Sequence, residues 1–169
     1  MKKYLVIGNP INHSLSPKIH NFWLKKNNIL EKYGKKEIQK DQIKDYLVKV
    51  KQNQLIGLNI TVPYKERFFE QIENLDMSSI QTGAVNTIFK KNNKVCGANT
   101  DGIGFINSLK YDCNFKLKRK NVLIIGAGGA SRGISYAIIK NQINSLTIMN
   151  RSSINLMKLV KGLRKEKIN

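Results

Sequence analysis

The sequence predicts an α/β protein, because short apolar runs alternate with segments of helical spacing. The run KYLVIG (residues 3–8) directly precedes a segment that opens with Pro17, a residue favoured in the first turn of a helix. The run LIGLNITV (residues 55–62) ends at Pro63, which cannot donate to a sheet ladder. Residues 121–152 have the order strand, glycine-rich turn, helix, strand. We therefore expect an N-terminal α/β domain, residues 1–100, followed by part of a second α/β domain, residues 101–169.

The remaining elements follow from apolar spacing and from turn residues. Ile19, Phe22 and Trp23 fall on one side of the helix that starts at Pro17, and Ser16 is expected to cap that helix. A hairpin is expected over residues 84–100, with Lys91 to Asn93 as its turn. The other expected elements are a weak strand at 33–38 and helices at 40–52, 64–75, 100–110 and 154–168.

Composition limits the functional classes that fit. The chain has 169 residues, 41% of them hydrophobic, and a formal net charge of +19. It contains no run of about 18 apolar residues, so we expect no membrane span. The apolar run near the N-terminus is shorter than the roughly 7–15 residues of a signal peptide, which indicates a cytoplasmic protein. Two cysteines fit no metal motif, and no metal site is expected.

The basic excess is mostly lysine scattered through the chain, and Lys116–Lys120 is its one compact run. A basic surface can attract nucleic acids, acidic membranes or phosphorylated ligands. No aromatic residues are interleaved with basic ones as a nucleic-acid platform requires. We therefore expect a small-molecule ligand and no specific nucleic-acid partner.

The glycine-rich turn indicates a dinucleotide site of the Rossmann type. Gly126 and Gly128 follow four apolar residues and precede a helix. The first glycine permits a tight turn, the second allows the backbone to approach a pyrophosphate, and the helix start offers free N–H groups. The third glycine position is Ser131, so the strand and helix around the motif strengthen the assignment more than the glycines themselves.

The end of the following strand favours NADP over NAD. An NAD site usually has Asp or Glu about 20 residues after the glycines, where it binds the ribose 2′-hydroxyl. This sequence has Asn150, Arg151 and Ser152 there. Arg151 can pair with a 2′-phosphate, and Ser152 can donate to it. The simpler alternative is an ordinary surface arginine at a strand end.

Polar residues also follow the strands of the first half. NITVPYK contains Asn59, Thr61 and Lys65, GAVNT contains Asn86, and GANTDGIG contains Asp101. Ligands of open α/β sheets bind outside the carboxyl ends of the strands. Amides, hydroxyls, an amine and a carboxylate together suit a small, polyhydroxylated anion, and a Lys–Asp pair suits proton transfer.

Ser14 and Ser16 stand on the turn between the first strand and the first helix. Two hydroxyls beside a helix N-terminus can form a pocket for a carboxylate. Taken alone, the same residues are equally well explained as a helix cap and a loop residue. The polar residues on neighbouring strand ends favour the ligand site.

The motifs HSLSP, NITVPYK, GAVNT, NTDGIG, GAGGASR and NRS occur in this order, and the sequence thereby resembles the shikimate dehydrogenase family. The resemblance extends from the first strand to the strand that ends at Asn150. It implies a reversible reduction of 3-dehydroshikimate to shikimate with NADPH, in aromatic amino-acid biosynthesis. The family continues well beyond the length of this chain, so three alternatives stay open: an active enzyme, a remnant that binds shikimate-like ligands without turnover, and a dehydrogenase that also accepts quinate.

The resemblance also implies roles for individual residues. Ser14 and Ser16 would bind the substrate carboxylate, and Lys65 would be the acid or base with Asp101 beside it. Thr61, Asn86 and Asp101 would hold ring hydroxyls, with Asn59 in support. The NADP site would use residues of the glycine turn and of the following strand end; the family commonly has Thr at position 152, which keeps the hydroxyl. A homodimer is a further expectation. The implied cofactor residues are Gly126, Ala127, Gly128, Gly129, Ala130, Asn150, Arg151 and Ser152.

Overall fold

The computed structural model describes residues 3–164 and divides the chain into two units, Met1–Ala98 and Asn99–Asn169. The first unit is built on a six-stranded mixed sheet with the strand order β2-β1-β3-β5-β6-β4. β1 is parallel to both of its neighbours, whereas β5 is antiparallel to β3 and β6. The strands are β1 (Lys3–Gly8), β2 (Lys32–Glu37), β3 (Leu55–Ile60), β4 (Asn74–Leu75), β5 (Thr87–Lys91) and β6 (Lys94–Ala98).

Four helices and a short 3₁₀ turn, Lys40–Gln42, accompany this sheet. The helix α2 buries Ile43, Tyr46 and Val50 in the main core of the unit, beside sheet residues such as Leu58 and Ile88. Burying a large aliphatic side chain contributes about 1.5–3 kcal/mol, so this core is the chief source of the unit's stability. The helices are α1 (Ser16–Lys26), α2 (Ile43–Lys51), α3 (Lys65–Phe69) and α4 (Met77–Thr82).

The strand directions bring the segments that carry the predicted site residues to one edge of the first sheet. β1, β3 and β6 end at this edge, and β5 begins there. Backbone hydrogen bonds connect the segments beyond the ladders. Thr61 N donates to Ile7 O at 2.9 Å, Ile60 N to Asn86 O at 2.8 Å, and Asn86 N to Ala98 O at 3.0 Å. The edge is therefore a fixed platform for the side chains that follow the strands.

The second unit contains a two-stranded parallel sheet, with Asn121 to Ile125 in register with Ser145 to Met149. Its core is formed by Ala127, Tyr136, Leu159 and Leu163. The opposite face of the sheet is exposed at Leu123, Ile125 and Met149. The elements are α5 (Asp101–Asn107), a π-helical turn (Ser108–Asp112), β7 (Asn121–Ile125), α6 (Gly129–Ile139), β8 (Ser145–Met149) and α7 (Ser153–Arg164).

The predicted α/β class and element order are confirmed, with local differences. The helix expected over 64–75 ends at Phe69, because Asn74–Leu75 pairs with the edge of β6. The helix α4 was not predicted; the Asp76 side chain caps it by accepting from Ser79 N at 2.8 Å. For the helix expected over 154–168, residues 165–168 lie outside the described residues.

The apolar stripe of α1 differs from the expectation for a core-facing helix. Its three aligned apolar residues, Ile19, Phe22 and Trp23, are each more than half exposed, and the helix has no buried residue. The spacing predicted the helix correctly, but within the described residues that stripe does not face a core.

In the second unit, α5 and α6 make a very close contact at two glycines. A Cβ placed on Gly102 would lie 2.5 Å from Gly133 O and 2.9 Å from the Ala137 Cβ. Backbone atoms cannot move aside as a flexible side chain can. Gly102 therefore permits the approach of the two helices, and the approach fixes the start of α5.

We predict that Gly102→Ala destabilises the chain by about 1–3 kcal/mol, the usual cost of overpacking. Gly104 lies on the same helix with nothing within 4 Å of its virtual Cβ. Gly104→Ala is therefore the matched control and should be neutral or stabilising by up to about 1 kcal/mol. Urea unfolding of both variants measures the difference, and equal stabilities would contradict the assigned contact.

Candidate functional site

The loop before α1 presents the two serines in different ways. Ser14 Oγ accepts a hydrogen bond from Ser16 N at 3.3 Å, so Ser14 satisfies one of the free N–H groups of the first turn. Ser16 is the first residue of α1, and Leu15 occupies the N-cap position without a side-chain cap. The expectation that Ser16 caps the helix is therefore wrong, because the hydroxyl that reaches the backbone belongs to Ser14. Both serines are half-buried.

The β3 end positions Thr61 and Lys65. Thr61 is held by its backbone bond to Ile7, and Thr61 O accepts from Tyr64 N at 3.0 Å, which starts the turn into α3. Lys65 is the first residue of α3, and its carbonyl accepts from Val85 N at 2.9 Å. The backbone of Lys65 is thus tied to the residue that precedes Asn86.

Gly8 permits the close approach of β1 to the β3 end. A Cβ on Gly8 would lie 2.5 Å from the Thr61 Cγ2 and 3.0 Å from Val62 O. Any larger residue would push Thr61 or its backbone away from the β1 end. This glycine belongs to the site through its lack of a side chain.

Asn59 is the centre of a polar network at the same edge. The Asn59 amide accepts from the Tyr33 hydroxyl at 2.7 Å and donates to Asn86 O at 3.2 Å and to Thr87 Oγ1 at 3.3 Å. The Thr87 hydroxyl donates to Asn86 Oδ1 at 2.9 Å. The Asn86 side chain is buried and is bound within the network.

Tyr33 and His20 are members of this site that the sequence did not predict. The two rings stack with centroids 4.2 Å apart and an interplanar angle of 10°. Burial raises the pKa of Tyr33, so its hydroxyl keeps its proton. Partial burial lowers the pKa of His20 from its usual value of about 6.5, which favours the neutral imidazole. Their partners are distant in sequence, and no local motif signals the contact.

Asp101 belongs to the second unit, where it opens α5. Its backbone N–H donates to the buried Asn99 Oδ1 at 3.0 Å. Its Cβ lies 3.4 Å from the position of a virtual Cβ on Gly133. The close contact of α5 with α6 therefore fixes the backbone from which the carboxylate projects.

The glycine turn has the geometry of an anion-binding helix start. Gly126 has φ +116°, a conformation that side chains rarely adopt, and its N–H donates to Met149 O at 2.7 Å. Gly128 is the N-cap of α6, which has no side-chain cap and no acidic residue in its first turn. Virtual Cβ atoms on Gly128 and Gly129 meet nothing within 4 Å. The open space beside uncapped N–H groups fits a pyrophosphate.

Asn150 ties the glycine turn to the end of β8. Its Oδ1 accepts from Ala127 N at 3.0 Å, and its Nδ2 donates to Ser152 O at 2.8 Å. Arg151 and Ser152 are exposed at this end. Ser152 Oγ accepts a long bond of 3.5 Å from Asn155 N in the first turn of α7. An exposed arginine beside a hydroxyl fits a phosphate, and no carboxylate occupies the position of the usual ribose partner.

Backbone bonds and shared segments connect most of the predicted residues within each unit. The first unit has Ser14, Ser16, Thr61, Lys65 and Asn86 on segments that meet at one sheet edge. In the second unit, the glycine turn and the β8 end share hydrogen bonds, while Asp101 lies on α5.

Two family models match the chain in succession. Residues 6–88 match the shikimate dehydrogenase substrate binding domain, and residues 109–169 match shikimate / quinate 5-dehydrogenase. The chain belongs to the shikimate dehydrogenase family. The resemblance proposed from the six motifs is thereby confirmed.

Individual relatives agree with the family match. The chain is 42% identical over 161 residues to the shikimate dehydrogenase (NADP(+)) of Pelagibacter ubique, covering 95% of this chain and 60% of the relative. A solved shikimate dehydrogenase in complex with NADP+ superposes with a TM-score of 0.90 at 31% identity, covering 98% of this chain and 57% of the other. The Thermus thermophilus shikimate 5-dehydrogenase, in complex with NADP(H) and shikimate, gives a TM-score of 0.88 at 29% identity, covering 97% and 61%.

The chain thus spans about three fifths of the length of the curated relatives it matches. The fold and the family follow from these comparisons, since the coverage of this chain is nearly complete. None of the helices within residues 3–164 has the length and apolar character to cross a membrane.

We predict that His20 titrates below about pH 6.5, because its protonated form loses hydration against the Tyr33 ring. Lowering the pH below the unfolded value of about 6.5 should then reduce stability, since the unfolded chain binds the proton more readily. Tyr33→Ala should raise the midpoint towards 6.5. NMR titration of the imidazole measures both midpoints, and an unchanged midpoint in the variant would contradict the stacking effect.

Proposed function

We propose that this chain carries the substrate and cofactor residues of an NADP-dependent shikimate dehydrogenase, which interconverts 3-dehydroshikimate and shikimate. The observation that carries the proposal is the cluster of hydroxyls, amides and one lysine at a single edge of the first sheet. That unit contains the match to a substrate binding domain, and the glycine turn lies in the part that matches the dehydrogenase model. We assign residues 1–100 to substrate binding and catalysis, and residues 101–169 to NADP.

The substrate carboxylate is assigned to Ser14, Ser16 and the start of α1. The first turn of α1 contains no acidic residue, and its positive end attracts an anion. Ser14 already orders the turn through its bond to Ser16 N, so the loop is held before a ligand arrives. The Ser16 hydroxyl, half-buried at the helix start, supplies a donor of its own.

The ring hydroxyls are assigned to Thr61 and Asn86, with Asn59 in support. The Asn59 amide donates to the Asn86 carbonyl, and the Asn86 amide accepts from the Thr87 hydroxyl. Both amides are thus oriented in advance, which reduces the entropy lost when a ligand binds. Asp101 is assigned to a ring hydroxyl from the family resemblance. A carboxylate is a strong acceptor for a hydroxyl proton.

Lys65 is assigned as the proton donor in reduction. NADPH, when bound, supplies the hydride that reduces the carbonyl carbon. The carbonyl oxygen then needs one proton, which the Lys65 ammonium donates; in the reverse direction the amine accepts it from the hydroxyl. Asp101 is the second proposed catalytic residue. The helical start at Lys65, tied to Val85, directs the ammonium from a fixed backbone.

The pyrophosphate is assigned to Gly126, Ala127, Gly128, Gly129 and Ala130, and the 2′-phosphate to Arg151 and Ser152. The open space at the glycines and the uncapped α6 start support the first assignment. The exposed Arg151 supports the second. Asn150 contributes by fixing Ala127 N and the chain before Ser152.

A second candidate is a protein that binds shikimate-like ligands without turnover. The chain matches only 56–62% of the length of the first curated relatives, while its substrate unit is matched from residue 6 to residue 88. Calorimetry for shikimate and an absorbance assay with NADP⁺ and shikimate separate the two candidates. Turnover supports the enzyme, whereas binding without turnover supports the binding protein. Turnover of quinate in the same assay would identify the broader dehydrogenase.

We further propose a cytoplasmic setting, which the two free cysteines, Cys96 and Cys113, support because thiols persist in reducing compartments. A homodimer is proposed from the exposed apolar stripe of α1, since large apolar patches mark interaction surfaces. The mass in sedimentation equilibrium decides between monomer and dimer.

We predict that Lys65→Ala lowers the turnover of shikimate with NADP⁺ by about 10²–10⁴-fold, the usual contribution of a positioned acid or base. The Kd for shikimate from calorimetry should change much less. Lys94→Ala is the control. It removes the same charge at the start of β6, whereas the end of β6 lies at the edge with the proposed site. Equal turnover in the wild type and Lys65→Ala would rule out the proposed role.

We predict that Arg151→Ala weakens NADP⁺ binding by about 10-fold or more and leaves NAD⁺ binding nearly unchanged, because only NADP⁺ has the 2′-phosphate. Arg164→Ala, at the far end of α7, is the control with the same lost charge. Fluorescence titration with both dinucleotides gives the two Kd ratios. A parallel loss for NAD⁺ and NADP⁺ would argue against a phosphate contact at Arg151.

A further inference from the structure

We infer that Tyr33 is a positioning residue, whose hydroxyl satisfies Asn59 Oδ1 and thereby stabilises the hydrogen bonds through Thr87 that orient the Asn86 amide. This inference rests on the proposed function, which assigns Asn86 to a ring hydroxyl of the substrate. Tyr33 lies near the start of β2, so none of the motifs that follow the strands contains it.

The orientation of the Asn59 amide is fixed by the Asn86 backbone carbonyl. One end of that amide lies 3.2 Å from Asn86 O, a backbone carbonyl that can only accept. The end near it must therefore be the Nδ2 group, and Oδ1 must face Tyr33. The contact between Tyr33 Oη and Asn59 Oδ1 at 2.7 Å then requires the tyrosine hydroxyl to donate.

The Thr87 hydroxyl accepts from Asn59 and donates to Asn86. The second Nδ2 hydrogen of Asn59 is donated to Thr87 Oγ1 at 3.3 Å. The threonine hydroxyl has one proton, and it donates that proton to Asn86 Oδ1 at 2.9 Å. The donors therefore run in one direction, from Tyr33 to Asn59 to Thr87 to Asn86.

The bond from Thr87 determines which end of the Asn86 amide can donate. Because Oδ1 of Asn86 accepts from Thr87, the donating end of this amide is its Nδ2 group. In the proposed function, a ligand oxygen bound at this end of the Asn86 amide would accept from Nδ2. Rotating the Asn86 amide by 180° would place Nδ2 against Thr87 Oγ1, and the Thr87 hydroxyl would lose the acceptor for its proton.

Tyr33 is itself held from α1. The Asn21 amide forms two hydrogen bonds with the Tyr33 backbone, accepting from its N–H at 2.9 Å and donating to its carbonyl at 2.8 Å. His20 stacks on the ring. Both residues follow Ser16 on the same helix, so the helix that starts at the proposed carboxylate site also positions the donor for the hydroxyl site.

The test uses Tyr33→Phe, which removes one hydroxyl and keeps the ring that stacks on His20. Tyr64→Phe is the matched control. Both tyrosines are 6% exposed, and the Tyr64 hydroxyl donates to Ile38 O at 2.8 Å, outside the network. NMR of the side-chain amides and calorimetry with shikimate are measured on the full chain.

In Tyr33→Phe the Asn59 and Asn86 side-chain amide signals should shift or double, and the Kd for shikimate should rise roughly 3- to 10-fold, the effect of one hydrogen bond. Tyr64→Phe should leave those signals and the Kd unchanged. Thr87→Val, which keeps the side-chain shape, should give the same loss. The double variant Tyr33→Phe/Thr87→Val should bind shikimate as strongly as the weaker single variant, because both substitutions break the same series of hydrogen bonds, which we call the relay.

Unchanged Asn86 amide signals in a folded Tyr33→Phe would overturn the inference. So would equal shikimate affinity of Tyr33→Phe and the wild type. If the wild-type chain does not bind shikimate, the proposed function fails, and the amide signals still decide whether Tyr33 positions Asn86. Additive losses in the double variant would replace the relay with two independent contacts.

Discussion

Residues 85–87 are hydrogen-bonded to three separate segments, and the candidate substrate site depends on these bonds. Val85 N donates to the carbonyl of Lys65, Asn86 N donates to Ala98 O, and Asn86 O accepts from Ile60 N. A backbone bond that is buried and paired is costly to break, so these contacts fix the relative positions of the segments. The backbones of Lys65 and Asn86 are therefore fixed relative to each other, although the two residues are distant in sequence.

Glycines supply the second constraint, because the site needs backbones closer than side chains allow. Gly8 admits the β3 end beside β1, Gly102 admits α6 beside α5, and Gly126 adopts a backbone that other residues rarely adopt. Each glycine precedes or adjoins a residue assigned to a ligand. The sites are therefore defined by absent side chains as well as by hydroxyls and amides.

Local signals predicted most of the elements, and tertiary contacts explain the exceptions. The hairpin was predicted with Lys91 to Asn93 as its turn, whereas Lys91 pairs with Lys94 and the turn consists of Asn92 and Asn93. Both asparagines have positive φ, which a two-residue hairpin turn requires. The end of α3 could not be predicted, because the pairing of Asn74 with β6 overrides a helical spacing of apolar residues. The contact of Tyr33 with Asn59 could not be predicted for a similar reason, because the two residues are 26 positions apart and only the tertiary fold brings them together. Motif order predicted the candidate site residues, and tertiary contacts that leave no local signal hold them in place.

The distribution of acids explains how a chain with a charge of +19 can select anions at particular places. Acidic residues are generally favoured at helix N-termini, and here α2, α3 and α5 have Asp45, Glu66 and Asp101 in their first turns. The helix α4 has none in its first turn, but Asp76 caps its start. The helices α1, α6 and α7 have no acid in the first turn, and they begin at the proposed carboxylate, pyrophosphate and 2′-phosphate positions.

Scattered lysines raise the attraction of all anions alike, and salt screens that attraction over about 10 Å. Selection among anions therefore falls to the helix starts, whose N–H groups have fixed directions and act at hydrogen-bond distance. The acid-free start of α6 keeps its N–H groups available beside the glycine turn. At the start of α1, Ser16 N donates to Ser14 Oγ, and Lys18 N donates to Leu15 O at 3.0 Å. Pro17 has no N–H, so the two serine hydroxyls are the donors left for an anion at that helix start. In the proposed function, charge attracts the anionic ligand to the surface, and the geometry of neutral donors determines where it binds.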